Sequence, residues 1–114
     1  PHNRLVVAFQ PHRHTRTKDL FEEFATAFYG ADELLVLDIY AAGEPADPAV
    51  TAERLAEAIR AHGHRRVEYL GLAGAARERL AGMLVADDVL FTMGAGDVWH
   101  LGEDLVVREP EGER

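Results

Sequence analysis

The stretch Leu5-Val6-Val7-Ala8-Phe9-Gln10-Pro11-His12-Arg13-His14-Thr15-Arg16-Thr17-Lys18-Asp19-Leu20-Phe21 decides the fold. Its first five residues are uniformly apolar, as in a strand covered on both faces. Its last residues open a helical spacing of apolar side chains, Leu20, Phe21, Phe24, Ala25 and Phe28. That spacing predicts a helix over residues 18–28, with Thr17 as N-cap and Asp19 in the first turn. Between strand and helix lies a loop with two arginines and two histidines, in a chain of formal net charge −8. Such a loop is a candidate anion site. A guanidinium offers a planar fork of donors that matches a carboxylate or phosphate. The helix start adds unsatisfied N–H groups and a partial positive charge.

Outward from this stretch the elements alternate. A second apolar run, residues 33–39, reads as a buried strand. A loop with Pro and Gly follows, Ala41-Ala42-Gly43-Glu44-Pro45-Ala46-Asp47-Pro48. Residues 51–62 read as a helix with Leu55, Ala58, Ile59 and His62 on one stripe and Gly63 as its stop. Residues 67–70 read as a strand, 73–84 as a helix with Ala76, Leu80 and Met83 facing inward, and 89–93 as a strand. Strict alternation predicts an α/β, Rossmann-like, open and mainly parallel sheet with helices on both faces. Residues 1–108 are expected to form one domain, and 109–114 a charged, frayed tail. In open parallel sheets ligands bind beyond the carboxyl ends of the strands. Three polar or Gly-rich segments fall there: residues 10–17, 38–44 and 94–99.

Composition narrows the function classes. The 114 residues are 47% hydrophobic, enough for a core. The acidic balance argues against a general nucleic-acid or membrane-surface role. With no cysteine there is no disulfide and no thiolate metal site. The histidines show no ligand spacing within one element, and no metal is expected. No apolar run is long enough to span a membrane. Pro1-His2-Asn3-Arg4 does not resemble a signal peptide, and a cytoplasmic location is expected.

Several candidates carry two readings. Arg13 and Arg16 are either ligand donors or a solvated basic loop paired with Glu22, Glu23 or the helix backbone. His12 is a ligand contact or a loop filler after Pro11. Gly94 and Gly96 permit close backbone approach to a ligand or simply form a turn. Asp97 is a ligand contact or a helix cap, and Asp38 and Tyr40, at a strand end, are ligand contacts or a polar bridge between loops. His62 and His64 flank a helix stop and read as structural. Trp99 reads as packing.

Phe9-Gln10-Pro11-His12-Arg13-His14-Thr15-Arg16-Thr17 closely resembles the F-Q-P-H-R-Y-T-R-T segment of the alanine-adding Mur ligases. The likeness continues through Asp19-Leu20-Phe21-Glu22-Glu23-Phe24 and Asp38-Ile39-Tyr40-Ala41-Ala42-Gly43-Glu44, and ends at Gly94-Ala95-Gly96-Asp97-Val98-Trp99. It covers nearly the whole chain and matches only the third of the family's three domains. The first of these binds a UDP-sugar, the second binds ATP through a Gly-rich phosphate loop, and the third helps to bind the incoming amino acid. No G-x-x-G-K-[ST] string occurs here, and the strand and helix that open the family's third domain are expected to be missing. His14 stands where the family usually has Tyr, and Ala41 where it often has Pro.

The resemblance implies a reaction. ATP phosphorylates the lactyl carboxylate of UDP-N-acetylmuramate, the amine of L-alanine attacks the acyl phosphate, and an amide forms. It implies that His12, Arg13 and Arg16 lie beside the alanine carboxylate and the reacting phosphates, and that the Gly94-Ala95-Gly96 loop closes on the same pocket. Asp97 and Asp38 are further candidates. ATP and Mg2+ are expected on the central domain and no cofactor on this chain, which alone should be inactive, with no catalytic residue of its own. The implied partners are L-alanine, UDP-N-acetylmuramate, ATP and the two other domains, with neither nucleic acid nor membrane. Two alternatives stay open: a domain of another Mur-type ligase, and a non-catalytic α/β phosphate- or nucleotide-binding module.

Overall fold

The computed structural model describes residues 4–94. Eight elements follow in order: β1 (Leu5–Gln10), α1 (His14–Asp19), α2 (Phe21–Ala25), β2 (Glu33–Leu37), α3 (Ala52–Ala61), β3 (Val67–Gly71), α4 (Ala73–Met83) and β4 (Val89–Gly94). The strands form one sheet in the order β3-β2-β1-β4, and every pairing is parallel. β1 is therefore central. The chain runs outward from it on one side through β2 and β3, then returns to lay β4 on the other. The point between β1 and β4 is the topological switch.

Alternation of side chains across the strands builds two cores. Val7, Phe9, Leu34 and Val36 pack with Phe28, Leu55, Ala56 and Ile59, beneath α2 and α3. Val6, Ala8, Leu35 and Leu37 pack with Ala76 and Leu80 of α4. Helices thus cover both faces, and the two middle strands, β1 and β2, carry the buried runs that the sequence shows. Phe9 anchors the first core through ring contacts with Phe24 and Phe28, at centroid distances of 5.1 and 5.0 Å.

The helices show two departures from the local pattern. The first helix begins at His14, four residues before the expected start, and breaks at Leu20. Thr17 is not its N-cap. It sits inside α1, fully buried, and its hydroxyl donates back to the Arg13 carbonyl at 2.7 Å, a bond that bends helices. α2 ends at Ala25, so buried Phe28 reaches the core from the loop. In α3 the buried stripe is Ala52, Leu55, Ala56 and Ile59. His62 is exposed rather than inward, and its Nδ1 lies 2.8 Å from the Ala58 carbonyl. Thr51 does cap α3, accepting the Arg54 N–H at 3.1 Å. No helix among the described residues is long and apolar enough to cross a membrane. Residues 95–114, with Ala95, Gly96, Asp97, Trp99 and the expected tail, lie outside the described residues.

Candidate functional site at the carboxyl edge of the sheet

Beyond Gln10 the chain leaves β1 but stays tied to the end of β2. Tyr40 N–H donates to the Pro11 carbonyl at 2.8 Å, and Arg13 N–H donates to the Tyr40 carbonyl at 2.7 Å. His12 and Tyr40 form a parallel bridge, and their rings stack at 5.8 Å with planes 14° apart. The Gln10 side-chain amide donates to the Asp38 carbonyl at 3.2 Å. Arg13 then turns the chain into α1 with φ 70 and ψ 142. That backbone region is used almost only by glycine and costs on the order of 1–3 kcal/mol for other residues. Strain of this kind clusters at functional loops and persists only where neighbours enforce it.

Next to this turn stands Glu44. The turn Ala41-Ala42-Gly43-Glu44 has positive φ at both central residues, 52° at Ala42 and 91° at Gly43, and the Glu44 N–H donates to the Ala41 carbonyl at 3.0 Å. It delivers the Glu44 carboxylate to the start of α1. Oε1 accepts the N–H groups of His14 (2.8 Å) and Thr15 (3.1 Å), and Oε2 accepts the Thr15 hydroxyl (2.6 Å). The Thr15 hydroxyl, with the two N–H groups and the nearby Arg13 charge, holds the Glu44 carboxyl below the usual carboxylate range. The helix start expected to receive an external anion is thus filled by a carboxylate of the chain itself. Any anion bound here falls to the guanidinium groups.

Those groups remain available. Neither Arg13 nor Arg16 makes a side-chain hydrogen bond or ion pair among the described residues, with Glu22 and Glu23 or with the helix backbone. Arg16 lines a recess of about 340 Å³ together with Phe9, Gln10, His12, Phe24, Met93 and Gly94. This recess lies at the switch point between β1 and β4. It joins one guanidinium and one imidazole to an apolar wall, the pattern of a small-ligand pocket. Of the sequence candidates, His12, Arg16 and Gly94 meet there, while Arg13 is exposed beside it.

Gly94 sits where the end of β4 presses against the end of β1. Its φ is 130°, and a Cβ on it would collide with the Gln10 carbonyl oxygen. The close approach that the sequence suggests is made to β1. Asp38 takes the bridging role: its carboxylate accepts the Tyr69 hydroxyl at 2.5 Å, and its N–H donates to the Gly71 carbonyl at 2.8 Å. The phenol is pushed up to about 12, first by that hydrogen bond and then by burial. His64 is buried and structural, with Nε2 donating to the Ala31 carbonyl at 2.9 Å. Among the described residues no group of three or more His, Asp or Glu side chains could hold a metal ion.

Tyr40 takes the loop-bridging part that the sequence suggests for it and Asp38, whereas the sequence assigns no role of their own to Gln10 and Glu44. Glu44 had one signal available: an acidic residue closing a Gly turn, opposite a helix start that lacks a capping side chain of its own.

Comparison with known proteins agrees with this geometry. The family model described as "Mur ligase, glutamate ligase domain" matches residues 1–96. A UDP-N-acetylmuramate–L-alanine ligase of Trichlorobacter lovleyi is 54% identical over 108 residues, covering 95% of this chain and 24% of the relative. The protein of that name from Geobacter sulfurreducens is 48% identical over 114 residues, covering 100% of this chain and 25% of its own length. This chain therefore spans about a quarter of the relatives it matches. Among solved structures, UDP-N-acetylmuramate-alanine ligase from Thermotoga maritima superposes with a TM-score of 0.62 over 94% of this chain and 20% of that one, at 20% identity, a likeness of fold. With the parallel sheet and the basic loop at its switch point, these matches lead to one conclusion: the chain belongs to the Mur ligase family, as its C-terminal domain.

Proposed function

We propose that this domain serves a ligase that joins L-alanine to UDP-N-acetylmuramate at the expense of ATP, in peptidoglycan precursor synthesis in the cytoplasm, and that its part is to bind the amino acid. The observation that carries the reading is Arg16, bonded to no carboxylate among the described residues, in a recess walled by Phe9, Phe24 and Met93, with the exposed Arg13 three residues before it. A cationic fork suits the carboxylate of an amino acid, and the apolar wall suits a small side chain. Fixing the carboxylate orients the neighbouring amine for attack, and orientation is a large part of catalysis in a condensation between two bound substrates. His12, held flat against Tyr40, borders the same space and offers an N–H toward developing negative charge. Residues 94–96 are proposed to close over the recess. ATP and Mg2+ would be held mainly by the rest of the enzyme, and no step is assigned to them on this chain. Without a phosphate-binding loop, the domain alone is proposed to be inactive. Relatives named for L-alanine, about half identical to this chain, favour that substrate over the other amino acids that Mur-type ligases add.

The test is kinetic, in a full-length ligase carrying this domain. Arg13→Ala and Arg16→Ala should each lower kcat/KM for L-alanine roughly 30- to 1000-fold, about 2–4 kcal/mol, the scale of a lost charge-assisted contact. Arg→Lys should restore part of it, because an ammonium cannot reproduce the fork. His62→Ala, on the far side of the fold, is the control. Wild-type kinetics in folded Arg13→Ala and Arg16→Ala enzymes would overturn the reading and leave the basic loop a solvated one.

A further inference from the structure

We infer that Glu44 is a positioning residue for amino-acid binding: it clasps the start of α1 and so sets the placement of Arg13 and Arg16. The inference rests on the reading that these arginines hold the amino-acid carboxylate. Its own basis is geometric. Both oxygens of one carboxylate take three donors from two adjacent residues, His14 and Thr15, which lie between the two arginines. Glu44 stands about thirty residues further along the chain, so the clasp adds to the Tyr40 contacts of His12 and Arg13 a tie that reaches the first residues of α1 itself.

The local backbone needs such a tie. Arg13 occupies the N-cap position of α1 with no side-chain capping bond, in a conformation that only glycine adopts freely. A six-residue helix is too short to hold itself. On one side the Tyr40 carbonyl grips the Arg13 N–H, and on the other Glu44 grips the next two N–H groups. Without Glu44 the segment is free to relax at Arg13, and both guanidinium groups move with it. Arg13 is the N-cap residue of α1 and Arg16 lies in its first turn, so a shift of the start of α1 displaces both together.

The carboxylate also has an electrostatic effect. It saturates the first N–H groups of α1 and neutralises the positive end of the helix. A bound substrate anion therefore meets oriented guanidinium forks and no competing set of backbone donors. That favours one binding register, the one that places the neighbouring amine, over a looser association with the helix start.

The experiment compares Glu44→Ala, Glu44→Gln and Thr15→Val in a full-length ligase carrying this domain. Glu44→Ala should raise KM for L-alanine about tenfold or more while leaving KM for ATP and the UDP-sugar within about twofold. Glu44→Gln keeps an oxygen for the two backbone N–H groups and should stay within about threefold of wild type. Thr15→Val, which loses only the hydroxyl contact, should fall between. Amide hydrogen exchange supplies a reading independent of kinetics. In Glu44→Ala, protection should drop at His14 and Thr15 and persist in β1. An unchanged KM for L-alanine, an equal rise in KM for all three substrates, or unchanged exchange at His14 and Thr15 overturns the inference. Arg13→Ala and Arg16→Ala in the same assay separate the two claims. If they lose L-alanine and Glu44→Ala does not, only the clasp fails. If they keep wild-type KM, the amino-acid reading fails and the inference goes with it.

Discussion

The two ends of the sheet treat their charges in opposite ways. At the amino end Arg4 and Arg66 are spent on carboxylates. Arg4 donates to both oxygens of Asp88, at 3.1 and 2.6 Å, and to the Met83 carbonyl at 2.9 Å. Arg66 reaches Glu33 at 2.5 Å, and Arg4 joins the same carboxylate at 3.7 Å. Asp32 accepts the Leu5 N–H at 2.6 Å. Together these bonds fasten the starts of all four strands. At the carboxyl end Glu44 and Asp38 are bonded to the scaffold, whereas Arg13 and Arg16 are not. A cation embedded in a network is holding the fold, whereas Arg13 and Arg16, left out of ion pairs, are the ones proposed to meet a ligand. Residue type alone does not separate Arg4 and Arg66 from Arg13 and Arg16. The bonding of each guanidinium does.

An effect on the scale of losing an arginine should come from the one position where both roles meet. Gly94→Ala puts a methyl group into the Gln10 carbonyl at φ 130°. Either β4 draws away from β1, or residue 94 changes conformation. Both move the floor of the recess, and a displacement of about 1 Å at a binding site costs on the order of 100-fold in rate. In a full-length ligase carrying this domain, Gly94→Ala should lose about that much in kcat/KM for L-alanine. Secondary structure by circular dichroism should be largely retained. Near-wild-type kinetics would show that the β1–β4 edge does not shape the site.

The amino end should respond in the opposite sense. Asp88→Asn keeps the shape of the side chain and removes the charge facing Arg4. Urea midpoints should fall at neutral pH, while kcat/KM per folded enzyme stays at wild type. Acid should reveal the same contact. The hydrogen bond from Arg4 holds the Asp88 carboxyl below the usual range, with help from the Val85 N–H. The folded value is therefore lower than the unfolded one. The stabilisation is complete above the ordinary Asp value of about 4 and is lost as pH falls through the lower folded value. Asp88→Asn should flatten that acid limb of the stability curve. An activity loss larger than the stability loss would erase the distinction between the two ends.

The sequence carries these regions unequally, for physical reasons. Strands β1 and β2 are legible because burial on both faces demands an uninterrupted apolar run. Helix α3 is legible because its cap, Thr51, is local. The start of α1 is not, because its cap arrives from Glu44 across a loop, and no window of neighbouring residues contains it. His62 misleads for a related reason. It falls on the helical stripe, but the helix is already unwinding there, with φ −87 and ψ 9, and its ring turns back to the Ala58 carbonyl. In the recess, His12, Arg16 and Gly94 follow from loop placement and motif. Tyr40 follows from its place at a strand end as a bridge between loops, but Gln10 does not, since its part depends on how two loops meet. Ala95, Gly96 and Asp97 lie outside the described residues.

The smallest effect is expected where a candidate ligand residue proves bound to the scaffold. Tyr69→Phe removes the hydroxyl that Asp38 accepts at 2.5 Å. Tyr69 is 36% exposed, so the bond competes with water. The loss should stay below about 1 kcal/mol, with kcat/KM for L-alanine unchanged. The phenol offers a direct check, since its folded value is pushed up to about 12 from an unfolded value near 10. A raised value means that the bond's contribution is complete below about pH 10 and disappears as pH climbs toward the folded value. Ultraviolet titration of the wild type should show one late-ionising tyrosine that Tyr69→Phe lacks. If instead the titrations coincide and Tyr69→Phe raises KM for L-alanine severalfold, Asp38 faces the ligand rather than Tyr69. The carboxyl end would then hold an acidic contact for the substrate amine beside its basic contacts for the carboxylate.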